Sequence, residues 1–304
     1  MIQNFDFNNI VNIEFSFRVE DGENVSFQSA PTDREIKNIL RQMLDDTVRE
    51  FNINQDEILP YEVSEKYASK EKLRASIVDP LYQETLLIRD AEDAQINSEA
   101  INNPASIPFY RVKYYDSEGR VLVAVRTASY FKAMLKQRSR LVRLVNDALE
   151  SFQDSIFKLD FDFDFFIIGN DVYILRPANF ESITNLGDEI LEHAVAKVEV
   201  ISEALGFINF EHIQELAGRS KRVARLVASV SSRDDLAQIS EQNVRTLSQR
   251  TGVGLVESEN GLMPLEGKEL DFLEILDRRR YIVELIDGNQ EAYRAQSRQA
   301  IRRV

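Results

Sequence analysis

The chain has no cysteine and no tryptophan, and only two histidines in 304 residues. Without cysteine it cannot build disulfides, thiolate nucleophiles, zinc ribbons or iron–sulfur clusters. Two histidines cannot supply a three-histidine zinc site, and no His-Glu-x-x-His pair occurs. Neither His193 nor His212 lies in a nucleophile motif such as Gly-x-Ser-x-Gly. Gly252-Val253-Gly254 is not followed by Gly-Lys-Ser/Thr, so it is no phosphate loop. Long apolar runs are missing too. A membrane-spanning helix needs about 20 apolar residues in a row, and the most apolar stretch, Phe161 to Leu175, is broken by Asp162, Asp164, Asn170 and Asp171. The opening residues, MIQNFDFNN, lack the basic-then-apolar order of a signal peptide. A reducing cytoplasm is the expected compartment.

What is present suits a folded chain. Apolar residues make up 43% and charged residues 29%, a globular rather than a disordered balance. The length allows one large domain or two modest ones. The formal charge is −14, but it is unevenly spread. Residues 1–108 hold 10 basic and 21 acidic side chains, and residues 154–215 hold 3 and 13. Residues 109–153 reverse the balance with 9 basic and 4 acidic, and residues 216–304 hold 15 and 13. An acidic protein therefore carries two locally basic regions. Phosphate contacts are local, so these regions leave a nucleic-acid groove open.

Residues 11–20 alternate strictly, with Val11, Ile13, Phe15, Phe17 and Val19 on one face, which predicts a half-buried strand. Asp21 to Asn24 supply a turn, and Val25–Gln28 return. Thr32 and Glu35 form a capping-box pattern ahead of an amphipathic helix over 33–52. Residues 90–106 read as a long loop. A second hairpin, 109–115 with 120–127, turns at Asp116-Ser117-Glu118-Gly119. A helix is expected over 130–149, and a third hairpin, 156–168 with 171–175, around Gly169-Asn170. Helices are expected near 187–206, 210–217, 219–230, 234–250, 269–286 and 292–303. The fold class is α+β: antiparallel hairpins with packed helices and a mostly helical C-terminal part. Two regions are expected, a hairpin-and-helix region over 1–105 and an α+β domain over 106–304.

Two stretches carry a family resemblance. Residues 157–183, FKLDFDFDFFIIGNDVYILRPANFESI, place an acidic-aromatic strand before a tight turn, a Val-Tyr-Ile-Leu strand and an Asn-Phe-Glu-Ser-Ile step into a helix. Residues 273–303, LEILDRRRYIVELIDGNQEAYRAQSRQAIRR, combine a short helix, an Asp-Gly-Asn-Gln-Glu-x-Tyr turn and a basic tail. Together they resemble the KwaB-like family, the second subunit of the bacterial Kiwa antiphage system, over roughly residues 109–303. The resemblance implies a cytoplasmic DNA-binding effector, expected as a homodimer, that works with KwaA, a small membrane protein sensing infection at the inner membrane. It carries no catalytic residue set onto this chain and implies no cofactor.

The residues themselves offer three constellations. Lys132, Lys136, Arg140 and Arg143 follow a helical stripe, with Arg138 beside it, inside the acid-free run Arg120–Asn146. Arg219, Arg222 and Arg225 are three apart, with Lys221 alongside. Fixed cations of this kind release counterions from nucleic acid; an ordinary solvated helix face explains the same spacing. The tail repeats the pattern with Arg294, Arg298 and Arg302, and Arg303 beside them, where cations also suit a helix C-terminus. Arg278-Arg279-Arg280 are consecutive and so point different ways. Apart from these three basic sets, Asp160, Asp162 and Asp164 alternate with phenylalanines, which on a strand puts three carboxylates on one face. They could hold Mg²⁺ for phosphodiester hydrolysis; a charge-protected strand edge is the plainer account. The leading reading is a DNA-binding protein without catalysis. A Mg²⁺-dependent nuclease and a protein-interaction module without DNA binding stand beside it.

Overall fold

The structure, a computed structural model, describes residues 5–21, 24–51, 58–78, 80–95, 107–130, 142–145, 148–151 and 157–295. The chain forms two compact units, one of Met1–Pro60 and Ala68–Thr184, the other of Tyr61–Tyr67 and Asn185–Val304. The division drawn at 105/106 falls outside the described residues. Strands on either side of it, Ile10–Asp21 and Phe109–Asp116, pair with each other inside the first unit.

The first unit is built on one mixed sheet. Its strands are β1 (Ile10–Asp21), β2 (Asn24–Ala30), β3 (Leu59–Pro60), β4 (Leu73–Ser76), β5 (Asp93–Gln95), β6 (Phe109–Asp116), β7 (Val121–Thr127), β12 (Phe165–Ile168) and β13 (Asp171–Ile174). Between β7 and β12 the chain makes two small ribbons, β8 (Ser129–Tyr130) with β11 (Phe157–Lys158) and β9 (Val142–Val145) with β10 (Ala148–Ser151). The sheet order is β3-β4-β13-β12-β7-β6-β1-β2-β5. All neighbours are antiparallel except the outermost pairs, β3/β4 and β2/β5.

The alternation in β1 buries Ile13, Phe15, Phe17 and Val19. Over that face lies helix α1 (Arg34–Phe51), whose Leu40, Met43, Leu44, Val48 and Phe51 are buried. Its start differs from the expected capping box: Asp33 Oδ1 accepts from the Ile36 amide at 2.8 Å, and Asp33 is the cap. The Phe51 ring meets Phe166 edge-on at 5.3 Å, and the Tyr114 hydroxyl donates to the Leu40 carbonyl at 2.6 Å. Phe165, one residue along from Phe166, faces the other side. There it packs edge-on at 5.1 Å against Phe180 of helix α3 (Pro177–Ile183). The loop expected over 90–106 begins instead with β5, which follows helix α2 (Gln83–Asp90).

Arg111 on β6 has no exposed side chain, and it fixes this edge. Its Nε donates to Ser16 Oγ on β1 at 3.1 Å, and one Nη donates to the Ala91 carbonyl at 2.6 Å and Asp93 Oδ1 at 2.9 Å. The other Nη donates to the Ile88 carbonyl. The guanidinium also lies 3.6 Å from the Phe27 ring centroid. One side chain thus holds β1, β2, β5 and the carbonyl end of α2, where the helix dipole favours a cation.

The second unit packs α4 (Leu186–Ala204), α5 (Glu211–Ala217), α6 (Lys221–Ser231), α7 (Glu241–Arg250) and α8 (Glu269–Leu276) with two hairpins. These are β14 (Leu255–Ser258) with β15 (Gly261–Pro264), and β16 (Arg280–Ile286) with β17 (Asn289–Arg294). Gly261, at φ 117°, lets the β15 backbone approach the 207–209 segment. A Cβ there would sit 2.6 Å from the Phe207 carbonyl oxygen, which accepts from the Leu262 amide at 2.8 Å. The segment 61–67 belongs to this unit. Arg225 donates to the Val63 carbonyl at 2.7 Å, and Arg279 to Ser64 Oγ at 2.7 Å and Glu65 Oε1 at 3.2 Å.

The α+β class stands, but the expected mostly helical C-terminal part does not. Among the described residues, 106–304 carries twelve strands, and the sheet they help to form is mixed rather than a set of hairpins. Three expected helices give way, in whole or in part, to strands among the described residues, and an apolar run as short as Val142–Val145 fits either period. Residues 142–145 pair as a strand with 148–151, so the expected helix over 130–149 is absent at those positions. The helix over 269–286 stops at Leu276, where Arg278 takes the left-handed conformation (φ 58°) and β16 follows. Ala292 to Arg294, expected to start a helix, lie in β17.

Replacing Asp93 with Asn leaves the Arg111 charge buried without its carboxylate. We expect a loss of about 3–5 kcal/mol in urea unfolding, the usual result of removing one partner of a buried pair. A second prediction concerns Asp116, which closes the β6–β7 turn. Burial opposes its ionisation, but the Asp6 amide, the Arg120 side chain and the Arg120 and Glu118 amides outweigh burial and hold it at about 2. A lowered folded value stabilises above the unfolded value of about 3.9. That contribution disappears as pH falls from there toward 2. Acid unfolding followed by circular dichroism is therefore expected to be less pH-dependent in this window for Asp116→Asn than for the parent chain.

Candidate nucleic-acid interface

The first basic cluster lies mostly outside the described residues: Lys132, Lys136, Arg138 and Arg140 are not among them. Arg143 is, and it lies on β9 opposite Glu150 of β10. It therefore does not extend a helical stripe.

The second cluster is fully described. Helix α6 starts at Lys221, capped by Ser220, whose Oγ accepts from the Val223 amide at 3.4 Å. Val223, Ala224, Leu226 and Val227 are buried, which turns the polar positions outward. Arg219 precedes the cap, so Arg219, Arg222 and Arg225 do not share one helical face as the spacing suggested. The four cations go to four partners. Arg219 lies 3.5 Å from Glu215, Lys221 pairs with Asp188, and Arg222 lies 3.6 Å from Glu274. Arg225 is partly buried on the Val63 carbonyl. Arg219, Lys221 and Arg222 keep 68%, 59% and 63% of their side-chain surface exposed. Exposed ion pairs such as the first two contribute about 0–1 kcal/mol. Glu274 is buried, but Arg280 and Arg294 also pair with it and keep it compensated when Arg222 turns away. A phosphate can therefore take the place of the carboxylate at little cost.

The tail is divided. Arg294 pairs with Glu274 from β17, while Arg298, Arg302 and Arg303 lie outside the described residues. The Arg triplet points three ways, as consecutive residues must. Arg278 pairs with Asp235, Arg279 with Asp277 and Glu65, and Arg280 with Asp271 and Glu274.

Asp160, Asp162 and Asp164 do not lie on a strand. They fall between β11 and β12, in a segment folded around Arg126. Arg126 donates to Asp160 at 3.2 Å, to Asp162 at 3.4 Å and to Asp164 at 2.7 Å. Asp164 is fully buried and also accepts from the Thr127 amide and hydroxyl at 2.7 Å each and from Asn179 at 2.9 Å. Burial opposes ionisation of Asp162, but the Arg176 guanidinium, with Arg126 and Lys70 behind it, holds its carboxyl below the usual range. Guanidinium and amide donors thus occupy the oxygens that a cation would need. Among the described residues no cluster of His, Asp or Glu is suited to a metal ion. His193 sits 3.8 Å from Glu189, one helical turn away.

The charge pattern did not reveal the buried pairs Arg111–Asp93, Arg126–Asp164 and Arg279–Asp277. A faint signal exists for one of them: Arg111 interrupts the otherwise apolar and aromatic start of β6, FYRV. Tyr110 and Tyr114 beside it are buried, so they offer no stacking platform for bases.

No helix among the described residues is long and apolar enough to cross a membrane. Comparison with curated proteins and with solved structures finds no match for the chain. The family model described as "Kiwa protein KwaB-like" matches residues 106–285, from just before β6 to the penultimate residue of β16. The chain belongs to the KwaB-like family and is a component of Kiwa antiphage defence.

Proposed function

We propose that the chain is the DNA-binding member of its defence system and holds the phosphate backbone through exposed cations, without cutting it. The observation that carries this reading is the set Arg219, Lys221 and Arg222, exposed around the start of α6 and tied, among the described residues, to carboxylates that a phosphate can replace. The acid-free run Arg120–Asn146, with Lys132, Lys136, Arg138, Arg140 and Arg143, adds a second basic segment. Neither set offers a side-chain pattern for reading base edges, so contact is to the backbone and largely independent of sequence. The engaged state of Asp160, Asp162 and Asp164 argues against the nuclease alternative. Family membership further supports a cytoplasmic homodimer acting with a KwaA-like membrane protein, which would bring the basic surface to entering DNA.

A mobility-shift titration on plasmid and linear duplex, with and without Mg²⁺ across a salt series, tests the reading. The expected result is a retarded, uncleaved band whose affinity falls with salt at about 0.9 log units per phosphate engaged. Lys221→Glu with Arg222→Glu, and separately Lys136→Glu with Arg140→Glu, are each expected to weaken binding and flatten that slope by roughly one for every phosphate no longer held. Arg225 is left untouched because it holds the Val63 carbonyl. Absence of any shift at low salt would favour the protein-interaction module, and Mg²⁺-dependent cleavage would favour the nuclease.

A further inference from the structure

The second unit holds a cleft between the end of α4, the 206–210 segment, the start of α5 and the β14–β15 turn. Its volume is about 510 Å³, and small-ligand sites usually run to about 300–1,000 Å³. The apolar part of the lining is Val198, Ile208 and Phe210, all buried. Phe210 is backed by Phe272 of α8, with ring centroids 6.4 Å apart. Glu199, Glu203 and Glu211 stand exposed around this apolar floor. Among the described residues no Lys, Arg or His lines the cleft, and none of the three carboxylates is in an ion pair.

The helix beneath sharpens the imbalance. A helix C-terminus carries the negative end of the dipole and favours cations. The last turn of α4 instead holds Glu203 and no basic residue, with Glu199 one turn before it. A local rule broken without compensation inside the chain points to a partner from outside it.

The spread of the charge decides which cation fits. An inorganic ion needs several oxygens converging on one point, and among the described residues no cluster of carboxylates does so. Separated carboxylates beside an apolar floor match a flexible chain with charges at intervals. Ammonium groups joined by four methylenes lie about 6 Å apart when extended. Glu199 and Glu203 are four apart on one helix, which sets their Cβ atoms about 5–6 Å apart. A second copy is disfavoured, because cleft against cleft brings two acidic rims together. We propose that the cleft binds an aliphatic polyamine, its ammonium groups on Glu199, Glu203 and Glu211 and its methylenes over Val198, Ile208 and Phe210. This site does not depend on nucleic-acid binding.

Isothermal titration of the full chain with spermidine, without nucleic acid, tests the proposal. Putrescine, Mg²⁺ at matched ionic strength and acetylated, amidated trilysine serve as comparisons. The expected result is saturable binding of one spermidine per chain, tighter than any of the three. Glu199→Gln with Glu203→Gln is expected to weaken it about tenfold. Gly206 also lines the cleft, and a Cβ there meets nothing within 4 Å. Gly206→Phe and, separately, Ser202→Phe each put a ring at the cleft without altering charge, and each is expected to abolish binding. Melting temperatures report whether the variants are folded; the exposed glutamate pair carries the test if a ring unfolds the chain. No saturable binding would overturn the proposal. Mg²⁺ binding as tightly as spermidine, or affinity unchanged in both folded ring variants, would reduce the cleft to bare charge and overturn it too. Trilysine binding as tightly would assign the cleft to a protein segment instead. A self-dimer in sedimentation that the ring variants dissolve would assign it to a second copy, and unchanged affinity in the glutamate pair would remove the carboxylates from the site.

Discussion

A guanidinium without access to water must find its acceptors inside the protein, and that requirement on Arg111 organises the first unit. Its partners come from four separate residues: Ser16, the Ile88 and Ala91 carbonyls, and Asp93. Each unpaired N–H at this site would cost the desolvation of a polar group, several kcal/mol in all. All four partners precede residue 106, where the family match begins. The matched region therefore cannot bury its own β6 without the N-terminal segment. This explains why β1, α2 and β5 are parts of the same sheet system as the recognisable family region.

The stretches that carry the family resemblance turn out to be built from the same kind of bond. In 157–183, the aspartates gather around Arg126 and Arg176, and Asn179 of the Asn-Phe-Glu-Ser-Ile step donates to Asp164. In 273–303, Asp277 accepts from Arg279 and Ser229, and Glu274 takes Arg280 and Arg294. Both stretches thus contribute ion pairs to the core of their unit. Buried pairs tolerate little change because removing one member strands the other. A motif of this origin identifies the fold and says nothing about catalysis.

The same distinction sets how far the sequence can be read. β1, the β6–β7 turn, the Gly169-Asn170 turn and α4 are local: their period or turn chemistry decides them, and they fall within a few residues of expectation. The segment 142–151 and the end of α8 are not local. Val142, Leu144 and Val145 suit either period, and only pairing with 148–151 selects the strand. The basic cluster at α6 shows the limit for function. Spacing placed Arg219, Arg222 and Arg225 together, yet Ser220 begins the helix after Arg219, and Arg225 is needed by the Val63 carbonyl, far away in sequence. Spacing gives direction only after the cap is known. It gives availability only after the partners are.

Burial therefore sorts the cations into two kinds. Arg111, Arg126 and Arg279 hold carboxylates that cannot leave without unfolding their surroundings, so they are closed to any ligand. Arg219, Lys221 and Arg222 are themselves exposed, at high dielectric, where one anion exchanges for another at little cost. Around them the whole chain carries −14, which repels a polyanion at long range in dilute salt. At physiological ionic strength that repulsion is screened beyond about 8 Å. Under the proposed reading, contact with nucleic acid is then governed by the few charges that reach the phosphates. It gains from anything that raises local concentration, because no long-range attraction does so.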